Sequence, residues 1–318
     1  MTIDPIHLDF RSDTVTKPTP AMREAMAKAV VGDDVYKEDP TINSLQEKAA
    51  ALTGHEAGLF VPSGTMGNLA SILAHCQRGD EIIVGKRAHT FLFEATGAAA
   101  LGGVNIQTLP NQPDGTLLLD EIENAIRPDD PHQPISKLVS IENTHNRCNA
   151  VSLTAEYTNS AAELAHKHGL KFHIDGARIF NAAIDQNVPV AHLTKYADSV
   201  TFCLSKGLSA PVGSVLCGSS AFIQKALRVR KQLGGGMRQA GILAAAGIVA
   251  LDTMVDRLAE DHRNAKTLAD GLANIPGSAI EPETQHTNMV YFSLTSDIPL
   301  SLAEFREKLA SHGLLIGG

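Results

Sequence analysis

Short apolar runs recur along the chain from about residue 57 and alternate with longer segments of helical spacing. Apolar runs of about four to eight residues predict buried strands, because a strand covered on both faces has few polar positions. Seven such runs lie at 58–61, 81–84, 105–109, 137–142, 171–175, 199–204 and 213–217. Helix-length segments between them include 65–76, 119–126 and 154–168. The alternation predicts an α/β fold with a large, mostly parallel seven-stranded sheet and helices on both faces.

The pattern changes near Ile242, where a long Ala/Leu-rich helical stretch begins and continues to about Asn274. After it, a strand–helix–strand pattern lies at 289–294, 302–311 and 314–316. We therefore divide the chain into two parts. Residues 1–245 form the N-terminal segment and the large domain, and residues 246–318 form a linking helix and a smaller C-terminal α/β domain.

Composition excludes several classes of partner. Among 318 residues, 27 Lys and Arg stand against 35 Asp and Glu, so the net charge is −8, and aromatic residues make up 4% with no Trp. An acidic chain without basic clusters or stacking platforms does not favour binding to nucleic acid or anionic membranes. The N-terminus lacks the basic-then-apolar order of a signal peptide, and the longest apolar stretch, around 241–251, is too short to span a bilayer.

Four scattered cysteines without a CxxC pair predict reduced thiols rather than a disulfide framework or a zinc site. We therefore expect a cytoplasmic protein. No spacing of histidines and carboxylates indicates a metal site.

Polar residues follow several of the predicted strands. Ligands of doubly wound sheets bind beyond the carboxyl ends of the strands, so these positions are the candidates for function. They are residues 63–65, 142–145, 175–178 and 205–207.

Two of these strand ends carry residues suited to covalent and electrostatic catalysis. Lys206 lies between small residues, where a lysine can form a Schiff base, although a solvated loop lysine is the more frequent case. Asp175 ends its strand and can pair with a pyridinium nitrogen, or it can simply cap the following helix.

Other candidates are weaker by themselves. Small residues at 63–65 open a helix and can bind a phosphate, without the spacing of a P-loop. His89 can stack on a cofactor ring or transfer protons, and His145 is similar, but a lone histidine is more often structural. Arg178 can reach the pocket of Asp175, and Arg238 follows a glycine-rich stretch that lets it approach an anion.

Together the strings resemble the low-specificity L-threonine aldolase family, within the β-eliminating lyase group of fold-type I pyridoxal-phosphate enzymes. They span most of the chain in the family's order. The matching strings are FRSDTVT (10–16), GDDVY (32–36), DPT (39–41), PSGT (62–65), ENTHN (142–146), DGARIFN (175–181), LSKG (204–207) and GGGMRQ (234–239).

The resemblance implies a role for each candidate around pyridoxal 5'-phosphate. Lys206 would hold the cofactor covalently, Asp175 would pair with its ring nitrogen, His89 would stack on the ring and Arg178 would contact its phenolic oxygen. The phosphate would be bound by Ser63, Gly64, Thr65, Ser205 and, from a neighbouring subunit, Arg238.

The resemblance also implies the substrate contacts. Ser12 and Arg178 would lie near the substrate carboxylate, His89 and His145 would face its β-hydroxyl, and Tyr36 would line the pocket from the partner subunit. The implied assembly is a homo-oligomer, a dimer or a tetramer, with active sites shared across an interface.

The implied reaction is retro-aldol cleavage of L-threonine, L-allo-threonine and related β-hydroxy-α-amino acids to glycine and an aldehyde. The proton acceptor stays open between a histidine and a water held by His89 and His145. One alternative is a β-eliminating lyase on the same scaffold, which would not need two groups facing a β-hydroxyl. Another is a cofactor-holding protein with little turnover.

Members of the resembled family continue beyond the position of Gly318 through a segment with an arginine that binds the substrate α-carboxylate. The resemblance therefore implies that this chain lacks that arginine and that its small domain is incomplete. A buried arginine–carboxylate contact is worth about 2–5 kcal/mol. We expect retained cofactor binding and weaker substrate binding.

Overall fold

The computed structural model describes residues 8–317. It contains eleven strands: β1 Leu8–Phe10, β2 Ala57–Val61, β3 Asp80–Gly85, β4 Asn105–Leu109, β5 Ile135–Glu142, β6 Lys171–Asp175, β7 Ser199–Cys203, β8 Ser214–Gly218, β9 Ser278–Ala279, β10 Ser293–Leu294 and β11 Leu314–Ile316.

Thirteen α-helices connect or cover these strands within residues 8–317. They are α1 Pro20–Lys28, α2 Pro40–Thr53, α3 Gly64–His75, α4 His89–Leu92, α5 Gly97–Gly102, α6 Leu119–Ala125, α7 Ala155–Lys167, α8 Ile179–Gln186, α9 Val190–Thr194, α10 Ser220–Gln232, α11 Gly241–Thr253, α12 Leu258–Ala273 and α13 Leu302–Ser311.

Seven strands form one large sheet in the order β2-β8-β7-β6-β5-β3-β4. Only β8 runs antiparallel to its neighbours in this sheet. The predicted seven-stranded, mostly parallel sheet is therefore confirmed, and the predicted strand bounds agree within two residues. The agreement follows from burial, since every residue of β3, β7 and β8 is buried and such strands read as continuous apolar runs.

Helices cover both faces of the sheet, as predicted. Strand β2 shows how its residues divide, because successive side chains of a strand point to opposite faces. Leu59 and Val61 pack in one cluster with residues of α3 and α10, whereas Phe60 belongs to the larger cluster that includes residues of α2, α7 and α11.

Two predictions for the C-terminal part were wrong in detail. The helical stretch of 242–274 is broken by turns between α11 and α12, where Met254 and Leu258 are only 5% and 1% exposed. The break allows both side chains to pack in the core. One straight helix would orient them differently. The strand predicted at 289–294 is reduced to β10, which pairs only with the two residues of β9.

Strand β1 pairs in parallel with β11, so the first described strand lies against the last one. Within residues 8–317, none of the helices combines the length and the apolar character that a bilayer span requires.

Candidate functional site

Two carboxylates lie side by side at the carboxyl ends of neighbouring strands. Glu142 ends β5 and Asp175 ends β6, and the two residues are direct partners in the register of the sheet. Both are buried. Because the residues that directly precede them, Ile141 and Ile174, are also buried, the strands fix the carboxylates in place and keep water away from them.

Asn68, on the second turn of α3, connects Asp175 to a third carboxylate. Its Nδ2 donates to Asp175 Oδ2 at 2.9 Å and to Glu94 Oε1 at 2.8 Å. The N–H of Ala177 donates to Asp175 Oδ1 at 3.2 Å. Both oxygens of Asp175 are thus held by uncharged donors.

His173 fixes the orientation of Asn68 from behind. Its Nε2 donates to Asn68 Oδ1 at 3.1 Å, and its Nδ1 accepts from Ser71 and Ser199. Burial lowers the pKa of His173 to about 4, against the opposing effect of Asp175. His173 is therefore neutral at pH 7, and this network adds no positive charge to the carboxylates.

His89 begins α4 and forms a hydrogen-bonded pair with Glu94. Its Nδ1 donates to Glu94 Oε1 at 3.0 Å, which orients the ring and leaves Nε2 as the second ring nitrogen. The hydrogen bond to Glu94 raises the pKa of His89, and Asp175 acts in the same direction. Burial raises the pKa of Glu94 as well, so the pair holds its shared proton tightly.

Glu142 accepts the backbone N–H groups of His89 at 2.6 Å and of Asn146 at 2.9 Å. Burial raises the pKa of Glu142 to about 7, and repulsion from Asp175 contributes to the shift. Three carboxylates thus surround one imidazole. The ligand atoms of His89, Glu94 and Asp175 all lie within 4.8 Å of one another. Such a site attracts a cationic group.

Arg178, the residue before α8, is a buried cation, but its guanidinium is paired with a different carboxylate. Its Nε and one terminal nitrogen bind the two oxygens of Asp13, each at 2.7 Å, and both side chains are buried. Burial would raise the pKa of Asp13, but the charge of Arg178 holds it below its ordinary value. Asn288 also donates to Asp13 at 3.0 Å, so this carboxylate joins the N-terminal segment, α8 and the C-terminal part.

Lys206 lies in the loop after β7 and is half-buried. Its carbonyl accepts the hydroxyl of Thr16 at 2.8 Å, which ties this loop to the N-terminal segment. A Cβ on the next residue, Gly207, would come within 2.9 Å of Leu258, so glycine permits close packing there. Asp13 is an electrostatic neighbour of the Lys206 amine. Ser205 precedes it and is also half-buried.

The predicted phosphate-binding residues 63–65 form the amino end of α3. Ser63 caps the helix by accepting the N–H of Met66 at 3.2 Å, which leaves the N–H groups of Gly64 and Thr65 without intrahelical acceptors. A Cβ at Gly64 would lie 2.9 Å from the sulfur of Cys203 at the end of β7. Only glycine fits this close approach, and the helix end therefore reaches the strand ends described above.

His145 follows β5 by three residues and is buried. Burial lowers the pKa of His145 to about 4, the charge of Arg87 adds to the effect, and Asp175 opposes it. The amide of Asn111 contacts its Nε2 at 3.1 Å. His145 is therefore uncharged at pH 7, and its pKa is shifted in the opposite direction to that of His89.

Within residues 8–317, three further predicted site residues form no hydrogen bond with the three carboxylates of this cluster. Arg238 is 57% exposed and pairs with Asp33 at 3.0 Å, and Tyr36 is 72% exposed. Ser12 caps a single 3-10 turn by accepting the N–H of Thr14. A Cβ at Gly235 would collide with Met66, so the glycine-rich loop before Arg238 packs against the first turn of α3.

Sequence reasoning missed four residues of the site. Glu94 follows His89 by five residues, a spacing with no recognised signal. Asn68 lies one turn after Thr65, on the same helix as the predicted phosphate site. Asp13 was inside a quoted string without a role, and Asn111 follows β4 by two residues, where the rule of strand ends could have found it.

Comparisons with known proteins identify the family of this chain. A sequence model of the beta-eliminating lyase family matches residues 9–295. The chain is 49% identical over 314 residues to low-specificity L-threonine aldolase 1 of Arabidopsis thaliana, covering 97% of this chain and 87% of that protein. It is 49% identical over 298 residues to the low specificity L-threonine aldolase of Escherichia coli, covering 94% and 88%.

A solved structure supports the fold independently. The threonine aldolase of Leishmania major superposes with a TM-score of 0.74 at 23% identity, covering 83% of this chain and 79% of that one.

Proposed function

This chain belongs to the beta-eliminating lyase family, and from that premise we propose that it is a threonine aldolase. The reaction is retro-aldol cleavage of L-threonine, L-allo-threonine and related β-hydroxy-α-amino acids to glycine and an aldehyde. The observation that carries the proposal is the pair of dissimilar histidines, His89 and His145, beside the carboxylates at the strand ends. A carbon–carbon cleavage that starts at a β-hydroxyl needs groups to bind and deprotonate it.

The family depends on pyridoxal 5'-phosphate, and so does this chain. The residues fit this cofactor in two respects. Within residues 8–317, the carboxylate of Asp175 forms no ion pair with a lysine or arginine, so it can bind a protonated ring nitrogen. The amino end of α3 offers free N–H groups at Gly64 and Thr65 for a phosphate.

We assign the residues that would hold the cofactor as the sequence predicts them. Lys206 would bind it covalently, Asp175 would pair with its ring nitrogen and Arg178 would contact its phenolic oxygen. His89 would stack on the ring. The phosphate would be bound by Ser63, Gly64, Thr65, Ser205 and, from a neighbouring subunit, Arg238.

When bound, pyridoxal phosphate supplies an electron-accepting ring for the negative charge that develops at the substrate α-carbon. The chain's own residues do the rest. The negative charge of Asp175 keeps the ring nitrogen protonated, because a neighbouring carboxylate favours the cationic form. His89 takes the β-hydroxyl proton at Nε2, since Glu94 orients its ring and raises its basicity. Ser12 and Arg178 lie near the substrate carboxylate, and Tyr36 lines the pocket from the partner subunit.

The experiment compares three proteins with the cofactor added: the unmodified chain, Lys206→Ala and Lys195→Ala. Lys195 is a matched control because it is exposed and its amine lies over the ring of Tyr196, 4.9 Å from the ring centroid. We expect glycine and acetaldehyde from both threonine isomers with the unmodified chain and with Lys195→Ala, and about a 10³-fold or larger loss with Lys206→Ala. No acetaldehyde from the unmodified chain would refute the proposal.

The same experiment tests the alternative of a β-eliminating lyase. Such an enzyme would release pyruvate and ammonia from cysteine- or tyrosine-like substrates given to the same proteins, without glycine. That result, together with no cleavage of threonine, would replace the aldolase assignment.

We also propose that the chain forms a homo-oligomer, a dimer or tetramer with shared active sites. A run of exposed apolar side chains supports this, since such patches mark interaction surfaces. It includes Val30, Val31, Val35 and Tyr36. Light scattering after gel filtration tests it, and a monomer would contradict it.

The four buried free cysteines support the cytoplasm as the location of this chain, since thiols stay reduced there.

A further inference from the structure

The ring of His145 is held by an amide whose orientation is fixed independently. Asn111 Oδ1 accepts the backbone N–H of Arg87 at 2.9 Å. Asn111 Nδ2 donates to the carbonyl of Gly115 at 3.2 Å. If the oxygen and nitrogen of this amide were exchanged, its N–H₂ group would face the N–H of Arg87, and its oxygen would face the carbonyl oxygen of Gly115. The side chain of Asn111 therefore has one possible orientation.

This orientation determines which nitrogen of His145 carries the proton. Asn111 Nδ2 also lies 3.1 Å from His145 Nε2, and an amide N–H₂ is only a donor. Nε2 must therefore accept through its lone pair, and the proton of the neutral ring lies on Nδ1. A second proton on Nε2 would face the amide hydrogens, so the imidazolium is disfavoured by geometry as well as by burial.

The other ring nitrogen of His145, Nδ1, has an unused hydrogen-bond donor in this tautomer. Nδ1 of His145 is buried and has no hydrogen-bond partner within residues 8–317. Buried N–H groups without a partner are rare, because each one costs about 1–3 kcal/mol. The charged groups that face this ring are Arg87 and Asp175, which act in opposite directions on it.

We propose that Asn111 is a positioning residue that keeps His145 neutral with its proton on Nδ1, so that His145 donates to the substrate β-oxygen and leaves proton acceptance to His89. The assignment of the donor rests on the proposed aldolase function. The tautomer rests only on the contacts of Asn111. The two histidines then have separate roles, because Glu94 accepts from one ring and Asn111 donates to the other.

The first test is a nitrogen NMR titration of the cofactor-loaded protein with ¹⁵N-labelled histidine, in which His145→Gln identifies the resonances. We expect His145 to show a protonated Nδ1 and an unprotonated Nε2, without titration between about pH 5 and 9. A proton on Nε2, or titration near the ordinary histidine range, would overturn the proposal. This measurement is made on the unmodified protein, so it does not depend on a substitution in the loop that contains Asn111.

The second test compares Asn111→Asp with Gln112→Glu. Both add one negative charge to the same loop, but only the first places an acceptor against Nε2. We expect Asn111→Asp to move the proton to Nε2, to raise the apparent pKa of His145 by at least about one unit and to lower kcat about tenfold with KM for threonine nearly unchanged. Gln112→Glu should behave as the unmodified protein.

Equal ring states and equal kcat in both variants would refute the role of Asn111. The two proposals can also fail separately. A protein with the expected ring state in wild type and the expected change in Asn111→Asp, but with no release of aldehyde, would support the tautomer assignment and refute the aldolase function.

Discussion

The two ends of the large sheet treat buried carboxylates in opposite ways. At the amino end, Glu81 on β3 is bound by Arg127 at 3.0 Å and accepts from Asn105 at 2.5 Å and from Ser136 at 3.4 Å. At the carboxyl end, Asp175 and Glu142 receive only N–H groups that carry no charge, apart from the nearby His89–Glu94 pair.

The difference separates structure from function in one sheet. A buried carboxylate with an arginine is satisfied and has no further partner to bind. Carboxylates that outnumber the available cations repel each other, and the raised pKa of Glu142 is a direct sign of that repulsion and of burial. A ligand with a cationic group relieves it. The carboxyl end is thus arranged for a ligand and the amino end for stability.

Asp175→Asn should give the largest effect on turnover. Removing the charge that favours a protonated cofactor ring should lower kcat about 10²–10³-fold. The free energy of unfolding of the cofactor-free protein, measured by urea titration, should fall by no more than about 1 kcal/mol. The variant removes a buried charge that has no cation to compensate it, and this removal offsets the lost hydrogen bonds. Glu81→Gln is the matched change at the other end and should leave kcat unaltered. Equal losses of kcat in both variants would remove the distinction.

Arg127→Met should give the largest effect on stability. It leaves Glu81 buried without its cation, which should cost about 3 kcal/mol in the free energy of unfolding. Arg228→Met is the control, since Arg228 is exposed and its guanidinium forms a long hydrogen bond of 3.5 Å to the backbone carbonyl of Gln224. Denaturant titration measures both. A difference below about 1 kcal/mol between them would show that the amino-end pair is not needed.

Glu142→Gln should change how stability depends on pH. The pKa of Glu142 is raised to about 7, so between pH 4.5 and 7 the cofactor-free folded state binds a proton that the unfolded state releases. Stability therefore falls as pH rises through this range. In the variant, the free energy of unfolding should no longer show the fall of about 3–4 kcal/mol across this pH range that a shift of this size implies at about 1.4 kcal/mol per pKa unit. Identical unfolding midpoints against pH for both proteins would contradict the raised pKa.

Glu94→Gln should give the smallest of these effects. Its carboxylate raises the pKa of His89, so the amide should lower that pKa and shift the acidic limb of kcat/KM to lower pH. Weaker basicity of His89 should reduce the maximal rate about tenfold. Glu121→Gln, in an acidic first turn of α6, is the control. An acidic limb that moves to higher pH would show that Glu94 does not act on His89 in this way.

Much of the fold followed from apolar patterning. The strands ending in Glu142 and Asp175 were predicted because buried parallel strands have a largely apolar pattern. The pattern failed at 254–257, where no glycine or proline marks the break and the core contacts of Met254 and Leu258 decide it. It also overextended β10, because a two-residue pairing leaves no periodic signal.

The sequence alone determined the sheet, the family resemblance and the residues at strand ends, since these depend on local periodicity and on short strings. Only the tertiary structure decided which carboxylates have a cation and which do not. Glu94, Asn68, Asp13 and Asn111 come to the site from separate segments, and their hydrogen bonds join residues up to 275 positions apart. Charge state and tautomer depend on such contacts through burial and hydrogen-bond direction, and neither is encoded in the spacing of a single segment.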